Sequence, residues 1–553
     1  MTTLNSINTR VLIVGAGPTG LTLANLLGQA GVDAWIIDSK PGTVTEPRAV
    51  SIDDESLRTM QAMGLSQAVL ADVVAGYGVH YFTRPGGRCF GKVEPSGKLY
   101  GFPKRNAFRQ PLFESTLRAG LQRFACLTAR FSHELLEFTQ DEHGVRALVV
   151  DANKELLEVQ ADYLIACDGG RSPVRKQLGI NMVGSSFASR WLVVDTDQDD
   201  DPFWQTRVYC DARRPIVEVP GPHRTRRFEF MLKDGESDAQ MLSQARLQAL
   251  LRPFKGDAPL SIVRKTVYTF HARIAERWQV NRVLLAGDAA HLTPPYAGQG
   301  MNSGVRDAHN LAWKLIGVLT GKMAPAVLLT YESERRDHAW ALIKLALNLG
   351  VVMAPATVLR ARLISGAFSL IGRVPPLRDY FLQMRFKPKP RLRQGLVLTA
   401  GAAGGVRSGQ MFPQPSLTDS QGTERLLDDY IGAGFALVQY GDPHRERLDQ
   451  LQHPLWAHLE VKRILVLPGS VSKPPALPGC TVLHDHAGAL EALLGASASF
   501  FLLRPDRYIA AIFHSATETI TAEALQSLLG AVPASDRTPR PSITTPVTLE
   551  RCV

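Results

Sequence analysis

Three carboxylates stand where apolar runs stop. Asp38 closes residues 34–37, Asp168 follows residues 163–167, and Gly287-Asp288 follows residues 283–286. An acid at the carboxyl end of a buried strand can accept hydrogen bonds from the hydroxyls of a sugar or sugar-like chain, and ligands of open α/β sheets collect at such ends. Upstream of Asp38 runs Gly15-Ala16-Gly17-Pro18-Thr19-Gly20, flanked by an apolar run and an amphipathic helix pattern. Gly15 allows a tight turn, Gly17 lets the backbone approach a pyrophosphate, and Gly20 lets the helix pack on the strand. The helix start offers free N–H groups and the positive end of its dipole to phosphate. Strand, turn, helix and strand ending in an acid form a dinucleotide fingerprint, and Asp38 argues against a 2′-phosphate on that nucleotide. The second acid sits in Asp168-Gly169-Gly170, with Ser172 and Pro173 opening a helix that carries Arg175; by itself this is equally a turn and cap. After the third acid, Gly298, Gly300, Met301 and Asn302 fall at the start of a long helix, where N–H groups without intrahelical acceptors stabilise negative charge on a ligand. Pro294 and Pro295 stiffen the approach, and His291 reads as a packed or solvated loop histidine.

These residues need a large α/β framework, and the chain can supply it. Its 553 residues and 45% hydrophobic content suit two to four globular domains. The 62 basic residues outnumber 52 acidic ones, but they are scattered, so the net charge of +10 points to anionic small molecules and away from nucleic acid. Six cysteines lie far apart without a C-x-x-C or zinc pattern, as expected of reduced thiols in a cytoplasmic protein. Residues 1–10 are polar and carry no signal peptide. The apolar stretch 342–371 is broken by Lys344, Asn348, Pro355, Arg360 and Arg362, which predicts packed helices and no membrane span. Arg48 lies close enough in sequence to the first turn to reach a phosphate, and Gln110 opens a helix with Pro111 in its first turn.

The three motifs together, G-x-G-x-x-G with its acid, D-G-G-x-S-x-x-R from Asp168 to Arg175, and G-D-A-A-H…P…G-Q-G-x-N from Gly287 to Asn302, resemble the single-component FAD-dependent aromatic hydroxylases, the class A flavoprotein monooxygenases. The phrases RAVSIDDESLRTMQ, RRFEFM, VYTFHAR, ERRDHA and YFLQMRFKP further resemble the branch of 3-(3-hydroxyphenyl)propionate hydroxylases. The resemblance implies a Rossmann-like α/β FAD-binding domain of the aromatic-hydroxylase type with an inserted antiparallel-sheet substrate domain. It implies that Gly15, Gly17, Gly20 and Asp38 hold the ADP half of FAD, with Arg48 and Gln110 at the pyrophosphate and ribityl region. Gly287 and Asp288 would serve the ribityl chain, Gly298, Gly300, Met301 and Asn302 the flavin edge, and Asp168 and Arg175 FAD and a transient nicotinamide. NADH or NADPH, with NADH preferred, would reduce the flavin. Oxygen activated there would pass to a ring carbon ortho to a phenol, most simply that of 3-(3-hydroxyphenyl)propionate in aromatic catabolism. No metal is required. The alternatives are a hydroxylase of another phenol or a polyketide-type aromatic, an FAD-dependent dehydrogenase without oxygen activation, and a flavin-binding protein without activity.

The expected organisation is a FAD-binding domain over 1–184 and 276–345, a substrate sheet over 185–275, a helical segment over 346–395 and a C-terminal domain over 396–553. Alternating runs at 191–195, 208–210, 216–219, 227–231 and 266–270 suit a sheet roofing the flavin. Pro295, Tyr268 and His271 are the residues expected to meet the substrate ring, and Arg190, Arg214, Arg226 and Arg227 are the cations available for a propionate tail. The C-terminal region resembles the thioredoxin-like tail of the larger hydroxylases, including the phrase RPDRYIA. Cys480 stands alone there, so a structural or homodimer-supporting module without thiol chemistry is expected. The Pro/Thr-rich residues 531–553 read as loose.

Overall fold

A computed structural model describes residues 5–43, 48–257, 261–441, 446–471, 477–495 and 499–530. The tail at 531–553 and part of the loop at 40–47 lie outside the described residues. The first sheet runs in the order Gln279–Val280, Val283–Leu285, Leu156–Ala166, Asn5–Val14, Ala34–Asp38, Leu127–Phe131. Four of its pairings are parallel, and Val145–Val150 and Glu134–Gln140 extend Leu156–Ala166 on an antiparallel branch. Where residues 11–14, 34–37, 163–166 and Val283–Leu285 run together they are almost wholly apolar, as expected of a sheet buried on its faces. Register decides what this sheet presents. Val14 pairs with both Ala166 and Ile37, and Ala166 pairs with Leu285. The strands therefore finish level, and Gly15, Asp38, Asp168 and Asp288 emerge along one edge.

The amphipathic run after the first turn forms the helix Pro18–Gln29, which packs against the long helix Gly300–Leu319. Gly15 adopts φ +106°, and a Cβ there would lie 2.3 Å from the Cys167 carbonyl oxygen. A Cβ on Gly20 would lie 2.0 Å from the Gly15 carbonyl oxygen, so both positions admit only glycine if turn and helix are to keep their places.

The second sheet has eight strands in the order His291–Leu292, Ile262–Ala275, Met182–Thr196, Thr225–Met231, Ile216–Gly221, Thr206–Tyr209, Val79–Phe82, Cys89–Val93. All its pairings are antiparallel except Thr206–Tyr209 with Val79–Phe82. It thus draws two strands from the first part of the chain and one from the loop after Asp288, so it is wider than residues 185–275. A three-stranded sheet of Ser51–Asp53, Arg105–Phe108 and Val73–Ala75 lies between the two larger ones in sequence connectivity.

Helices Leu329–Met353, Val358–Ile371 and Pro375–Leu382 follow, the chain bending by 108° at the break after Met353. Among the described residues no single helix is long and apolar enough to cross a membrane. The C-terminal domain holds a seven-stranded sheet in the order Glu424–Leu426, Ser416–Asp419, Cys480–Asp485, Lys462–Pro468, Ala436–Tyr440, Phe500–Leu503, Ile509–Phe513. One face of it joins the core of the nucleotide sheet: Phe435, Leu437, Phe500 and Leu502 belong to the same buried cluster as Leu12 and Leu311, and Phe435 meets Trp313 edge-on at 5.7 Å.

Candidate active site

A cavity of about 500 Å³ runs from the level strand ends to the inner face of the second sheet. At its polar end the uncapped start of helix Pro18–Gln29 opens directly into it: Gly17 is the N-cap without a side-chain bond, and nothing lies within 4 Å of where its Cβ would be. Asp38 accepts the Ala16 N–H at 2.8 Å and the Lys40 N–H at 2.9 Å, bracing the turn while its side chain still lines the cavity. Gln110 shapes the next segment. Its Oε1 accepts the N–H groups of Arg48 (2.9 Å) and Ala49 (2.7 Å), and its amide donates to Glu114 at 2.7 Å. The Arg48 carbonyl is in turn held at 2.8 Å by Arg227, whose guanidinium is anchored on Asp195. Arg48 thereby faces the cavity from a loop tied to both sheets.

Asp168 and Asp288 enter from the two other strand ends. Asp168 Oδ2 accepts the Val174 N–H at 3.1 Å, whereas its Oδ1 is buried without a partner among the described residues. Burial raises its pKa despite that contact and the bond with Ser172. Asp288 is open to the cavity and enclosed by protein around it; this burial raises its pKa, while His291 and Arg48 pull it down. The stiff turn Pro295–Ala297 leads to Gly298 and to helix Gly300–Leu319, whose N-cap Gln299 makes no side-chain cap bond. Pro295, Gly298, Gly300 and Met301 line the cavity.

The other end of the cavity is apolar. The sheet contributes Val79, Tyr81, Val208, Val217 and Val219, and Tyr296, Leu349, Met353, Met384 and Phe386 close the opposite side. Tyr296 packs against Trp191 at 5.9 Å and Phe270 at 6.0 Å. Among the described residues this end carries two charged side chains, Arg105 and Glu229. Burial raises the Glu229 pKa, with Arg227 pulling it back.

Some residues singled out from sequence stand behind the cavity wall. Gly20 and Gly287 do not line it; the Gly287 N–H donates at 3.1 Å to Asp307, which also takes His291 at 2.6 Å and Arg335 at 2.9 Å. His291 is fully buried and stacked on Trp278, which makes it a packed histidine. Asn302 is a clamp: its side chain donates to the carbonyls of Ser51 (2.9 Å) and Gly298 (2.8 Å) and accepts from the Asp53 N–H (3.0 Å) and the Ser56 hydroxyl (2.8 Å). Arg175 donates to the carbonyls of Ala289 and Gly170, both at 2.9 Å, joining the second motif to the third.

Tyr268 and His271 do not line the cavity either. Along a strand, side chains alternate between faces, and Phe270 packs on Tyr296, which lines the cavity, so His271 points the other way. There burial, with Arg273 and Arg171, lowers its pKa. Tyr268 shares the face of Phe270 but lies farther along the strand, where its hydroxyl accepts from Arg264 and its ring lies under that guanidinium at 5.1 Å. The four arginines offered for a propionate tail are all engaged elsewhere: Arg190 with Asp238, Arg214 with Glu236, Arg226 with Asp199 and Glu218, Arg227 with Asp195. Arg105, Glu229, Met384 and Phe386 were not singled out from the sequence; Glu229 falls within the RRFEFM phrase, Met384 and Phe386 within YFLQMRFKP, and Arg105 within none.

Two uncapped helix starts facing one cavity, a buried carboxylate oxygen without a partner and an open space over Gly17 fit a flavin dinucleotide lying along the strand ends. Comparison with known proteins agrees with this geometry. A family profile described as FAD binding domain matches residues 8–346, and one described as HcaD C-terminal domain matches residues 409–528. The chain is 40% identical over 509 residues to the 3-(3-hydroxy-phenyl)propionate/3-hydroxycinnamic acid hydroxylase of Klebsiella pneumoniae subsp. pneumoniae, covering 91% of each. It is 38% identical to the protein of the same name from Comamonas testosteroni, covering 91% of this chain and 94% of that one. Among solved structures, aklavinone-11 hydroxylase in a ternary complex with FAD and aklavinone superposes with TM-score 0.76 at 24% identity, covering 95% of this chain and 100% of that one. OxyS anhydrotetracycline hydroxylase from Streptomyces rimosus gives 0.74 at 25% identity, covering 96% and 100%.

Proposed function

Because this chain belongs to the FAD-dependent aromatic hydroxylases, we propose that its substrate is a phenolic acid, 3-(3-hydroxyphenyl)propionate, hydroxylated ortho to the phenol to give 3-(2,3-dihydroxyphenyl)propionate. One observation carries the reading: a single cavity joins a polar, phosphate-accepting end to an apolar end of a size suited to one aromatic ring, with Pro295 and Tyr296 at the junction. The names of the two hydroxylases it resembles in sequence support the choice of acid.

In this reading Gly15, Gly17 and the start of helix Pro18–Gln29 receive the pyrophosphate, Gly20 keeps that helix on its strand, and Asp38 accepts from the adenosine ribose. Arg48, positioned by Gln110, faces the phosphates. Asp168 and Asp288 take hydroxyls of the ribityl region, and Gly287 and Asn302 hold the backbone on either side of them. Gly298, Gly300 and Met301 direct N–H groups at the flavin edge, where the positive helix end offsets negative charge on the reduced ring. FAD, when bound, supplies hydride acceptance from NADH and the activation of O₂. The protein supplies position and dryness: Val79, Val217, Met353 and Phe386 exclude water from the ring, and Pro295 limits its approach.

Coupled assays test this. With 3-(3-hydroxyphenyl)propionate the expected result is equal consumption of NADH and O₂ and a product heavier by one oxygen atom. NADH oxidation with a quinone acceptor and no O₂ uptake would instead favour a dehydrogenase. NADH should outperform NADPH in kcat/KM. We place the enzyme in the cytoplasm, where NADH is available, a reading supported by free Cys89, Cys126, Cys167, Cys210 and Cys480. A homodimer belongs to the same reading, supported by the exposed Leu359, Leu363 and Leu370 of helix Val358–Ile371; sedimentation velocity reads the mass.

A further inference from the structure

The sheet around the cavity is rich in arginine, and nearly every guanidinium there has its acid: Arg207 with Asp201 and Glu218, Arg226 with Asp199, Arg227 with Asp195, Arg214 with Glu236. Arg105 is different. It stands at the start of strand Arg105–Phe108 and lines the apolar end of the cavity. Among the described residues its one hydrogen bond is a donation at 3.0 Å to the hydroxyl of Tyr77, and no carboxylate lies within ion-pair distance. Its guanidinium also lies over the Tyr77 ring, 4.6 Å from the centroid. Tyr77 is itself buried, so the fork of the arginine is fixed in one orientation before any ligand arrives.

Arg105 is half-buried, and a guanidinium on an apolar wall that no carboxylate engages keeps its forked donors for something negative. The cavity's other charged side chain at that end, Glu229, is occupied by Arg227 at 3.8 Å. The approach to the same end carries several cations: Lys104 adjoins Arg105 in sequence, and the positive charges of Lys389 and Arg385 act on Lys104 with Asp54 opposing, while Lys387 is taken up by Asp53 and Glu55. Arg385 and Lys387 flank Phe386, which lines the cavity. Such a field draws an anion in and leaves a fixed, forked donor to receive it.

We propose that Arg105, steadied by Tyr77, is the residue that binds the carboxylate of the substrate and thereby sets the enzyme's preference for phenols bearing an acidic side chain. The inference rests on the phenolic-acid reading above. Anchoring the acid on Arg105 fixes the substrate by its tail and leaves its ring among Val79, Val217, Tyr296 and Met353. An Arg-carboxylate contact of this kind discriminates against an uncharged tail by about 10- to 100-fold.

The test compares 3-(3-hydroxyphenyl)propionate with neutral 3-propylphenol in FAD-loaded enzyme, reading O₂ uptake, product and KM separately from kcat. R105M is expected to lower the acid-over-neutral ratio of kcat/KM by about 10- to 100-fold, chiefly by raising KM for the acid. R105K is expected to recover part of it, since an ammonium keeps the charge but loses the fork. Y77F frees the guanidinium and is expected to lower the ratio by a smaller factor, which keeps the test open should R105M fold poorly. R190M and R214M, whose arginines are paired outside the cavity, are expected to leave the ratio where it is. A native ratio retained by R105M and Y77F, or lost instead in R190M or R214M, overturns the assignment to Arg105 while leaving the phenolic-acid reading intact. Native enzyme that hydroxylates neither compound overturns the phenolic-acid reading itself.

Discussion

Single residues at the strand ends carry the sharpest expectations. Asp288→Ala removes a carboxylate that faces the cavity and makes no hydrogen bond or ion pair among the described residues, so the purified variant is expected to lose most of its bound flavin while keeping its fold; flavin absorbance against protein absorbance reads the outcome. The acidic run Asp53-Asp54-Glu55 brings three carboxylates close together. Their charge is met by Arg306, which pairs with Asp53 and Glu55, and by Lys387 at 2.9 Å from Asp53. Activity is accordingly expected to survive dialysis against EDTA, and inhibition reversed by added divalent metal would contradict this. The glycines and acids of the three motifs were legible because their job is local: turn, strand end and helix start lie within a few residues of one another. The face on which Tyr268 or His271 would fall was not legible. It depends on register and on the irregularity between Ser186 and Arg190 in the pairing of Met182–Thr196 with Ile262–Ala275. Arg105 left no trace either, since an arginine without an acid looks like any other until its neighbours are known.

At the scale of elements, the site depends on two helices, Pro18–Gln29 and Gly300–Leu319, whose starts are held close to the strand ends. Gly20→Ala would force a Cβ into a carbonyl that belongs to the turn itself, and neither partner can rotate away. The expected cost is about 1–3 kcal/mol or more, with weaker flavin retention, seen as a lower melting temperature and free FAD on gel filtration. Helix Gly300–Leu319 is fixed at its start by Asn302 and farther along by Asp307, which collects Gly287, His291 and Arg335. Burial alone would raise the Asp307 pKa, but His291 and Arg335 hold it below the ordinary value, so it stays ionised as the hub of the third motif. Strand and helix positions were readable from apolar periodicity in both halves of the nucleotide sheet. That Val79–Phe82 would pair in parallel with Thr206–Tyr209 was not, because parallel neighbours distant in sequence share no turn signal.

Across the whole molecule the C-terminal domain is welded to the nucleotide domain. Glu334 accepts from Arg504 at 2.8 Å, Lys314 at 2.8 Å, Asn310 at 2.7 Å and the Leu396 N–H at 2.8 Å, with no exposure of its side chain. Burial would raise its pKa; Arg504 and Lys314 hold it down at about 2. Glu334→Ala leaves buried Lys314 without its acid and Arg504 with Asp506 alone, and a loss of about 3–5 kcal/mol is expected in urea unfolding. His309 lies on the same seam, its Nδ1 at 3.1 Å from the Thr59 hydroxyl. Burial drives its pKa down from 6.5 to about 4, Arg507 and Arg58 adding to this and Asp506 and Asp428 opposing. The unfolded chain therefore takes a proton near pH 6.5 that the folded one refuses until about pH 4. Stability is expected to be whole above pH 6.5 and to decline as pH falls toward 4, by up to about 3 kcal/mol; H309Q should flatten that slope. The RPDRYIA phrase revealed the tail's kinship, whereas its role as a clasp through Arg504 needed the packed structure. The level finish of the parallel strands has one last consequence. Removing a single residue from any of them would retract its motif by roughly 3.3 Å and turn its neighbours inside out. Insertions and deletions in the lineage must then be confined to the connecting loops, and chimaeras that exchange whole substrate sheets should tolerate junctions in those loops and fail at junctions inside the strands.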